Sequence, residues 1–200
     1  MKPVNIGLLG MGTVGSGVIN VLNRNAEEIT RRAGRDIRIS HAAAMEYNAA
    51  AIQGLDKIGR ITKDAFAVVD DPEVQIVIEL IGGYSPAREL VLKAISNGKH
   101  VVTANKALIA KHGNEIFAVA QKKGVMVAFE AAVAGGIPII KAIREGLAAN
   151  RILWVAGIIN GTSNFILTEM REKGREFGDV LKEAQALGYA EADPTFDVEG

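Results

Sequence analysis

Val4-Asn5-Ile6-Gly7-Leu8-Leu9-Gly10-Met11-Gly12-Thr13-Val14-Gly15 opens as a short apolar run and ends in three glycines. From Thr13 the apolar residues recur at helical spacing to about Arg32, and Gly34 stops the pattern. The order is therefore strand, glycine turn, helix, the setting in which GxGxxG reads as a dinucleotide-binding turn. Gly10 permits the tight turn, Gly12 lets a pyrophosphate approach the backbone, and Gly15 lets helix and sheet pack closely. Met11, Thr13 and Val14 complete the cofactor-binding turn, with the phosphates placed on the helix N-terminus, where unpaired N–H groups favour negative charge. On the residues alone, glycines that only turn a corner remain the alternative.

Residues 37–44, 74–80, 101–103 and 125–129 read as further strands, the middle ones as continuous apolar runs suited to burial on both faces. Ser85-Pro86 opens one helix, which stops at Asn97-Gly98, and another fills residues 107–123 before Gly124. Strand and helix in alternation predict an α/β fold, a doubly wound parallel Rossmann-type sheet. After Glu130 the texture changes. Small residues and glycines fill 131–136, Pro138 starts an amphipathic helix to about Ala148, a long strand is expected over 152–159, and two helices follow over 163–173 and 178–187. We therefore expect a dinucleotide-binding domain over 1–132 and, over 133–200, the N-terminal part of an α+β substrate and dimerisation domain.

Composition narrows the function. Of 200 residues 48% are hydrophobic, enough for a substantial core, so disorder is not expected. The 23 basic and 23 acidic residues cancel without forming a stripe, which leaves little long-range attraction for nucleic acid or an anionic membrane. No apolar run approaches the ~20 residues of a membrane span. The chain also enters its first strand pattern directly after Met1-Lys2-Pro3, so a cytoplasmic protein with small-molecule partners is expected. The absence of cysteine excludes disulfides, thiolate metal sites and aldehyde oxidation through a covalent thiohemiacetal. His41, His100 and His112 are dispersed and read as core or surface residues, not as ligands.

Other candidates sit at strand ends. Glu46, 31 residues beyond Gly15, is placed to accept from a ribose 2′-hydroxyl, a role usually taken about 20 residues on. With no arginine in 42–48, it favours NAD over NADP, although an ordinary solvated carboxylate is the competing reading. Gly82 and Gly83 end another strand at the carboxyl edge, where glycine backbone can pack against a nicotinamide riboside, or simply turn the chain. Thr103-Ala104-Asn105-Lys106 comes to the same edge, one strand on. It places Thr103, an amide and an ammonium by the predicted nicotinamide, and Lys106 can bind a carboxylate or polarise a carbonyl. On position alone, Lys106 reads first as a solvated lysine at a helix start.

Five segments taken together resemble the homoserine dehydrogenases, in order and spacing, along the whole chain. They are Gly10 to Gly15 with Ser16-Gly17, Thr103-Ala104-Asn105-Lys106-Ala107-Leu108, Glu130-Ala131-Ala132-Val133-Ala134-Gly135-Gly136-Ile137-Pro138, Asn160-Gly161-Thr162-Ser163-Asn164 and Gly188-Tyr189-Ala190-Glu191-Ala192-Asp193-Pro194. The resemblance implies reversible NAD- or NADP-dependent interconversion of L-homoserine and L-aspartate 4-semialdehyde by direct hydride transfer, on the branch to threonine, methionine and isoleucine. Lys106 resembles the family lysine at the substrate, and Gly161-Thr162 the loop between substrate and cofactor. Glu191 resembles the carboxylate that binds the substrate amino group. Carbonyls of Glu130, Val133, Gly135 and Ile137 resemble a sodium-binding loop, and oxygen-only ligation suits such a hard cation.

The resemblance further implies a homodimer at full length and a proton-transferring aspartate and lysine beyond Gly200, with the strand expected at 152–159 presenting an open apolar edge. Two other classes fit the nucleotide-binding half: a sensing module that binds a dinucleotide without chemistry, and a dehydrogenase for another amino-acid semialdehyde.

Overall fold

The computed structural model describes residues 2–190 together with Pro194 and Thr195. The chain forms two compact units, Met1–Ala148 and Ala149–Gly200.

In the first unit six parallel strands form one sheet: β1 (Val4–Leu9), β2 (Ile37–Ala43), β3 (Arg60–Thr62), β4 (Ile76–Glu79), β5 (His100–Thr103) and β6 (Val127–Ala128). Their spatial order is β3-β2-β1-β4-β5-β6. The order reverses between β1 and β4, and in doubly wound sheets the crevice at that switch point is where ligands bind. The connecting helices are α1 (Thr13–Arg24), α2 (Ala26–Ala33), α3 (Ala65–Asp70), α4 (Ala87–Ser96) and α5 (Lys106–Lys123). The expected doubly wound α/β sheet is present.

Alternation along the strands builds two cores, one per face. Ile6, Leu8, Ile39 and Ala42 pack with Ile19 of α1 on one side. Leu9, Ala43, Val77, Val101 and Val127 pack with α3, α4 and α5 on the other. A strand buried on both faces carries no polar alternation, which is why β1 and β4 read as plain apolar runs.

Two local features differ from the sequence expectation. The long helix after the glycine turn is two helices, broken at Asn25, whose backbone leaves the helical region at φ −107°, ψ 21°. Asparagine competes for backbone hydrogen bonds and is a poor interior helix residue. The edge strand β3 has only three residues, too few to show a period, and is recognisable only by its pairing with β2.

At the amino-terminal edge lies an open depression of about 820 Å3, lined by Arg38, Arg60, Asp71 and Glu73 among others. Its most enclosed acid, Asp71, is paired within the protein. Asp71 lies 3.0 Å from Nδ1 of the buried His41 and 2.9 Å from an Arg60 guanidinium nitrogen, and it accepts from the Glu73 N–H. Burial pushes the Asp71 carboxyl up, but the Glu73 N–H, His41 and Arg60 together hold it below its ordinary value. A depressed carboxyl stabilises the fold above its unfolded pKa and loses that contribution as pH falls through the folded one. Asp71→Asn should therefore cost about 2 kcal/mol in urea unfolding at neutral pH. The gap from wild type should shrink as pH drops below the ordinary carboxylate value of 3.8; a pH-independent gap would show that the charge contributes nothing.

From Glu130 the chain turns through a short 3-10 segment (Glu130–Ala132) into α6 (Ile139–Lys141), which continues as a π-helical turn over Ala142–Gly146. The Glu130 carboxylate accepts from the N–H groups of Ile140 and Lys141, capping this helix and fastening it to the sheet's unit. In the second unit α7 (Gly161–Lys173) and α8 (Phe177–Ala186) pack around Ile166, Val180, Ala184 and Ala190. The strand expected at 152–159 is not formed: the segment is irregular, and Leu153, Trp154, Val155, Ile158 and Ile159 are exposed, Ile159 at 96%. A strand exists only with a hydrogen-bonded neighbour, and among the described residues none pairs with it. No helix among the described residues is long and apolar enough to cross a membrane.

Candidate dinucleotide site at the carboxyl edge

The three glycines of the turn have different reasons to be glycine. Gly10 sits at φ +97°, and an added Cβ would fall 2.6 Å from the Leu80 carbonyl oxygen. At Gly15 a Cβ would lie 2.1 Å from the Gly10 carbonyl oxygen. Both are demanded by the fold. Gly12 is not: its backbone is at φ −72°, ψ −157°, open to any residue, and a Cβ there would meet nothing within 4 Å. It caps α1 without a side-chain acceptor for the first N–H groups. The helix end thus offers donors and positive dipole to empty space kept open by the missing side chain.

Met11 contributes only backbone to this turn, because its side chain is 1% exposed within the core, where Ser16 Oγ donates to its carbonyl. Thr13 and Val14 are exposed on the first turn of α1.

Glu46 follows the end of β2 and is exposed. With Ala44, Met45, Tyr47, Ile61, Thr62 and Lys63 it lines an open depression of about 610 Å3 beside the turn from β2 and the end of β3. Lys63 is a member the sequence reading missed, because it is brought there by the three-residue strand that carries no periodic signal.

Across the switch point, Gly82 and Gly83 leave β4 with φ +81° and +68°. Thr103 and Asn105 are both buried, and their polar atoms face inward. Thr103 Oγ1 donates to Glu79 and accepts from the Asn105 N–H. Asn105 donates to the Gly83 carbonyl through Nδ2 at 2.7 Å and caps α5 by accepting from the Leu108 N–H. They organise the edge instead of reaching out from it. Lys106, the first residue of α5, is exposed, with no ion-pair partner among the described residues. Glu79 is fully buried and carries no signal in the sequence, because it closes an apolar strand.

The loop with the four candidate cation-binding carbonyls is tightly wound. Ala134 adopts φ +47°, Gly136 φ +84°, and the Ile137 N–H donates to the Ala134 carbonyl. The Glu130 and Ile137 carbonyls each accept one backbone N–H and keep a second lone pair. Among the described residues no group of three or more His, Cys, Asp or Glu side chains forms a metal site.

In the second unit Asn160 caps α7, accepting from the Ser163 N–H, with Gly161 as the first helical residue. Thr162 Oγ1 donates to the Tyr189 carbonyl at 2.6 Å, and the Tyr189 ring packs edge-on against Phe165 at 5.2 Å. The chain leading to Glu191 is thereby anchored to the first turn of α7. Glu191 itself lies outside the described residues.

Residues 10–130 match the family model described as the NAD binding domain of homoserine dehydrogenase, and residues 138–200 match the homoserine dehydrogenase family model. The chain belongs to the homoserine dehydrogenase family. It is 71% identical to the homoserine dehydrogenase of Pseudomonas aeruginosa, over 100% of this chain and 45% of that one. To that of Neisseria gonorrhoeae it is 66% identical, over 100% and 46%. Among solved structures, a homoserine dehydrogenase from Thiobacillus denitrificans superposes with a TM-score of 0.91 at 70% identity, covering 98% of this chain and 45% of that one. A hyperthermophilic archaeal homoserine dehydrogenase in complex with NADPH superposes with a TM-score of 0.82 at 25% identity, covering 100% and 66%. The chain thus spans about 45% of the curated relatives it matches. The carboxyl edge built by Gly10 to Gly15, Gly82, Gly83 and Lys106 lies within the family's NAD-binding domain.

Proposed function

We propose that this chain carries the cofactor-binding part, and the beginning of the substrate part, of a cytoplasmic NAD- or NADP-dependent oxidoreductase that interconverts L-homoserine and L-aspartate 4-semialdehyde. The observation that carries the reading is Gly12: the fold does not require glycine there, and the open helix end in front of it fits a pyrophosphate. When bound, the nicotinamide supplies the hydride acceptor or donor. The chain's own residues bind, orient and polarise.

Gly10 to Gly15, with the backbone of Met11, Thr13 and Val14, hold the pyrophosphate, and Gly82 and Gly83 pack against the nicotinamide riboside. Thr103 and Asn105 fix the strand end that carries Lys106, and Gly161 contributes to cofactor binding. Lys106 meets the substrate as a fixed cation, Thr162 helps hold it, and Glu191 receives the substrate amino group. A sodium ion on the carbonyls of Glu130, Val133, Gly135 and Ile137 would stiffen the loop through oxygen donors suited to a hard cation. The exposed apolar residues of 152–159 fit a segment covered by further protein, in keeping with a homodimeric full-length enzyme whose product feeds threonine, methionine and isoleucine synthesis.

Glu46 and Lys63 line one depression and set the ribose preference against each other. A carboxylate accepts from a 2′-hydroxyl and repels a 2′-phosphate, whereas an ammonium attracts the phosphate. Glu46→Ala should weaken NADH about tenfold, and Lys63→Ala should weaken NADPH by a similar factor. Titration of both variants with both cofactors checks this, and unchanged NADH/NADPH ratios would remove these residues from the ribose site.

The proposed reaction is tested by following reduced cofactor spectroscopically in the full-length protein with L-homoserine and NAD or NADP, beside a panel of other 3-hydroxy and 4-hydroxy amino acids. Homoserine-dependent reduction is expected. Cofactor binding with no oxidation of any of these alcohols would favour the sensing module, and turnover of a different alcohol would reassign the substrate.

A further inference from the structure

Glu79 is the last residue of β4 and is 0% exposed. One carboxylate oxygen accepts from the N–H groups of Ile81 at 2.9 Å and Gly82 at 3.2 Å. The other accepts from Thr103 Oγ1 at 2.6 Å. Thr103 Oγ1 in turn accepts from the Asn105 N–H at 3.0 Å, and Asn105 Nδ2 returns to the Gly83 carbonyl at 2.7 Å. A closed ring of hydrogen bonds therefore runs from Glu79 through the 81–83 loop, Asn105 and Thr103 back to Glu79.

Such a carboxylate is costly beneath a sheet edge, where an apolar residue would pack without desolvating a polar group. Its three donors satisfy it, since an ionised carboxyl is an acceptor only. What it secures is local. Gly82 and Gly83 are two consecutive glycines with positive φ, whose unfolded backbone has the most conformations to give up. Their turn directs successive N–H groups inward, a concavity that elsewhere binds external anions. Here the protein's own carboxylate fills it. Because C=O and N–H point oppositely in a trans peptide, the carbonyls of Leu80 and Ile81 turn away from Glu79. Leu80 O faces Gly10, and Ile81 lies on the exposed side of the loop.

We propose that Glu79 is a positioning residue for the nicotinamide half of the cofactor, locking the 81–83 loop with an outward carbonyl acceptor and tying it to the segment that carries Lys106. The inference rests on the dinucleotide reading above, and it assigns Glu79 no contact with substrate or cofactor. It separates the edge into two parts: the Gly10 to Gly15 turn grips the pyrophosphate, and the Glu79 ring serves only the nicotinamide end.

That separation is what an experiment can read. ADP-ribose contains the adenosine and pyrophosphate of the cofactor but no nicotinamide. Dissociation constants for NADH and ADP-ribose are measured on the full-length protein for wild type, Glu79→Gln, Thr103→Val and Thr103→Ser. Glutamine keeps a single acceptor oxygen, so it cannot accept from the loop N–H groups and from the Thr103 hydroxyl at once. Glu79→Gln should therefore weaken NADH about tenfold or more while moving ADP-ribose by less than about twofold. Thr103→Val should act in the same direction, Thr103→Ser should restore NADH affinity, and the Glu79→Gln, Thr103→Val pair should fall well short of additive because both break one ring. Equal weakening of both ligands, or of neither, would overturn the positioning role. If Glu79→Gln does not fold, the Thr103 pair decides alone. A wild-type protein that binds neither ligand would instead remove the dinucleotide reading itself.

Discussion

Replacing Gly12 with alanine is expected to raise the dissociation constant for NADH about a hundredfold, roughly 2.7 kcal/mol, with almost no change in the stability of the fold. The two halves of that expectation come from different observations. Gly12 has ordinary extended backbone angles, and its Cβ position is empty out to 4 Å, so alanine's poorer N-capping should be offset by the smaller entropy of its unfolded chain, each about 0.5–1 kcal/mol. The same methyl group stands between the first N–H groups of α1 and any pyrophosphate approaching them, and close approach is the purpose of a glycine at this point. Gly15→Ala should show the converse order of effects. Its Cβ would overlap the Gly10 carbonyl oxygen at 2.1 Å, so strand and helix must separate, and the variant should lose about 2 kcal/mol or more of stability. Urea unfolding and cofactor titration of the two variants side by side check the pair. A Gly12→Ala protein that binds normally would show that no phosphate comes near this helix end.

The second large effect is expected at Lys106. Lys106→Met keeps the length and flexibility of the side chain and removes the ammonium. Turnover of homoserine in the full-length enzyme should fall by about 10²–10³, the usual cost of removing a fixed electrostatic contact to a reacting oxygen. Affinity for NADH should stay within about threefold, and stability within about 0.5 kcal/mol, because the residue is exposed on the first turn of α5 with no ion-pair partner among the described residues. Steady-state kinetics and the cofactor titration separate these outcomes. Unchanged turnover would return Lys106 to the class of solvated surface lysines.

Much of this architecture is legible in the residues. The apolar run before Gly10, the helix stops at Gly34 and Gly124, and the Pro86 helix start all correspond to the observed elements. These are places where one residue type has one backbone consequence. The less legible parts depend on partners distant in sequence. The strand β3 is defined only by pairing with β2, and with it the approach of Lys63 to Glu46. Glu79 draws no notice at the end of an apolar strand, because the Thr103 hydroxyl that donates to it lies 24 positions on. The segment 152–159 has strand composition and no strand structure, since composition cannot provide the neighbour a strand requires. Thr103 and Asn105 illustrate the same limit differently. The motif marks their position at the edge, whereas the three-dimensional hydrogen bonds show that they brace it.

Equilibrium fluorescence titration of the protein with NADH and NADPH reads out whether the carboxyl edge of this sheet is a nicotinamide dinucleotide site. Saturable binding of at least one reduced cofactor, displaced competitively by ADP-ribose, is the predicted result. No saturable binding of either, from a folded protein, would rule out a dinucleotide site at this edge and leave Gly12 without an explanation.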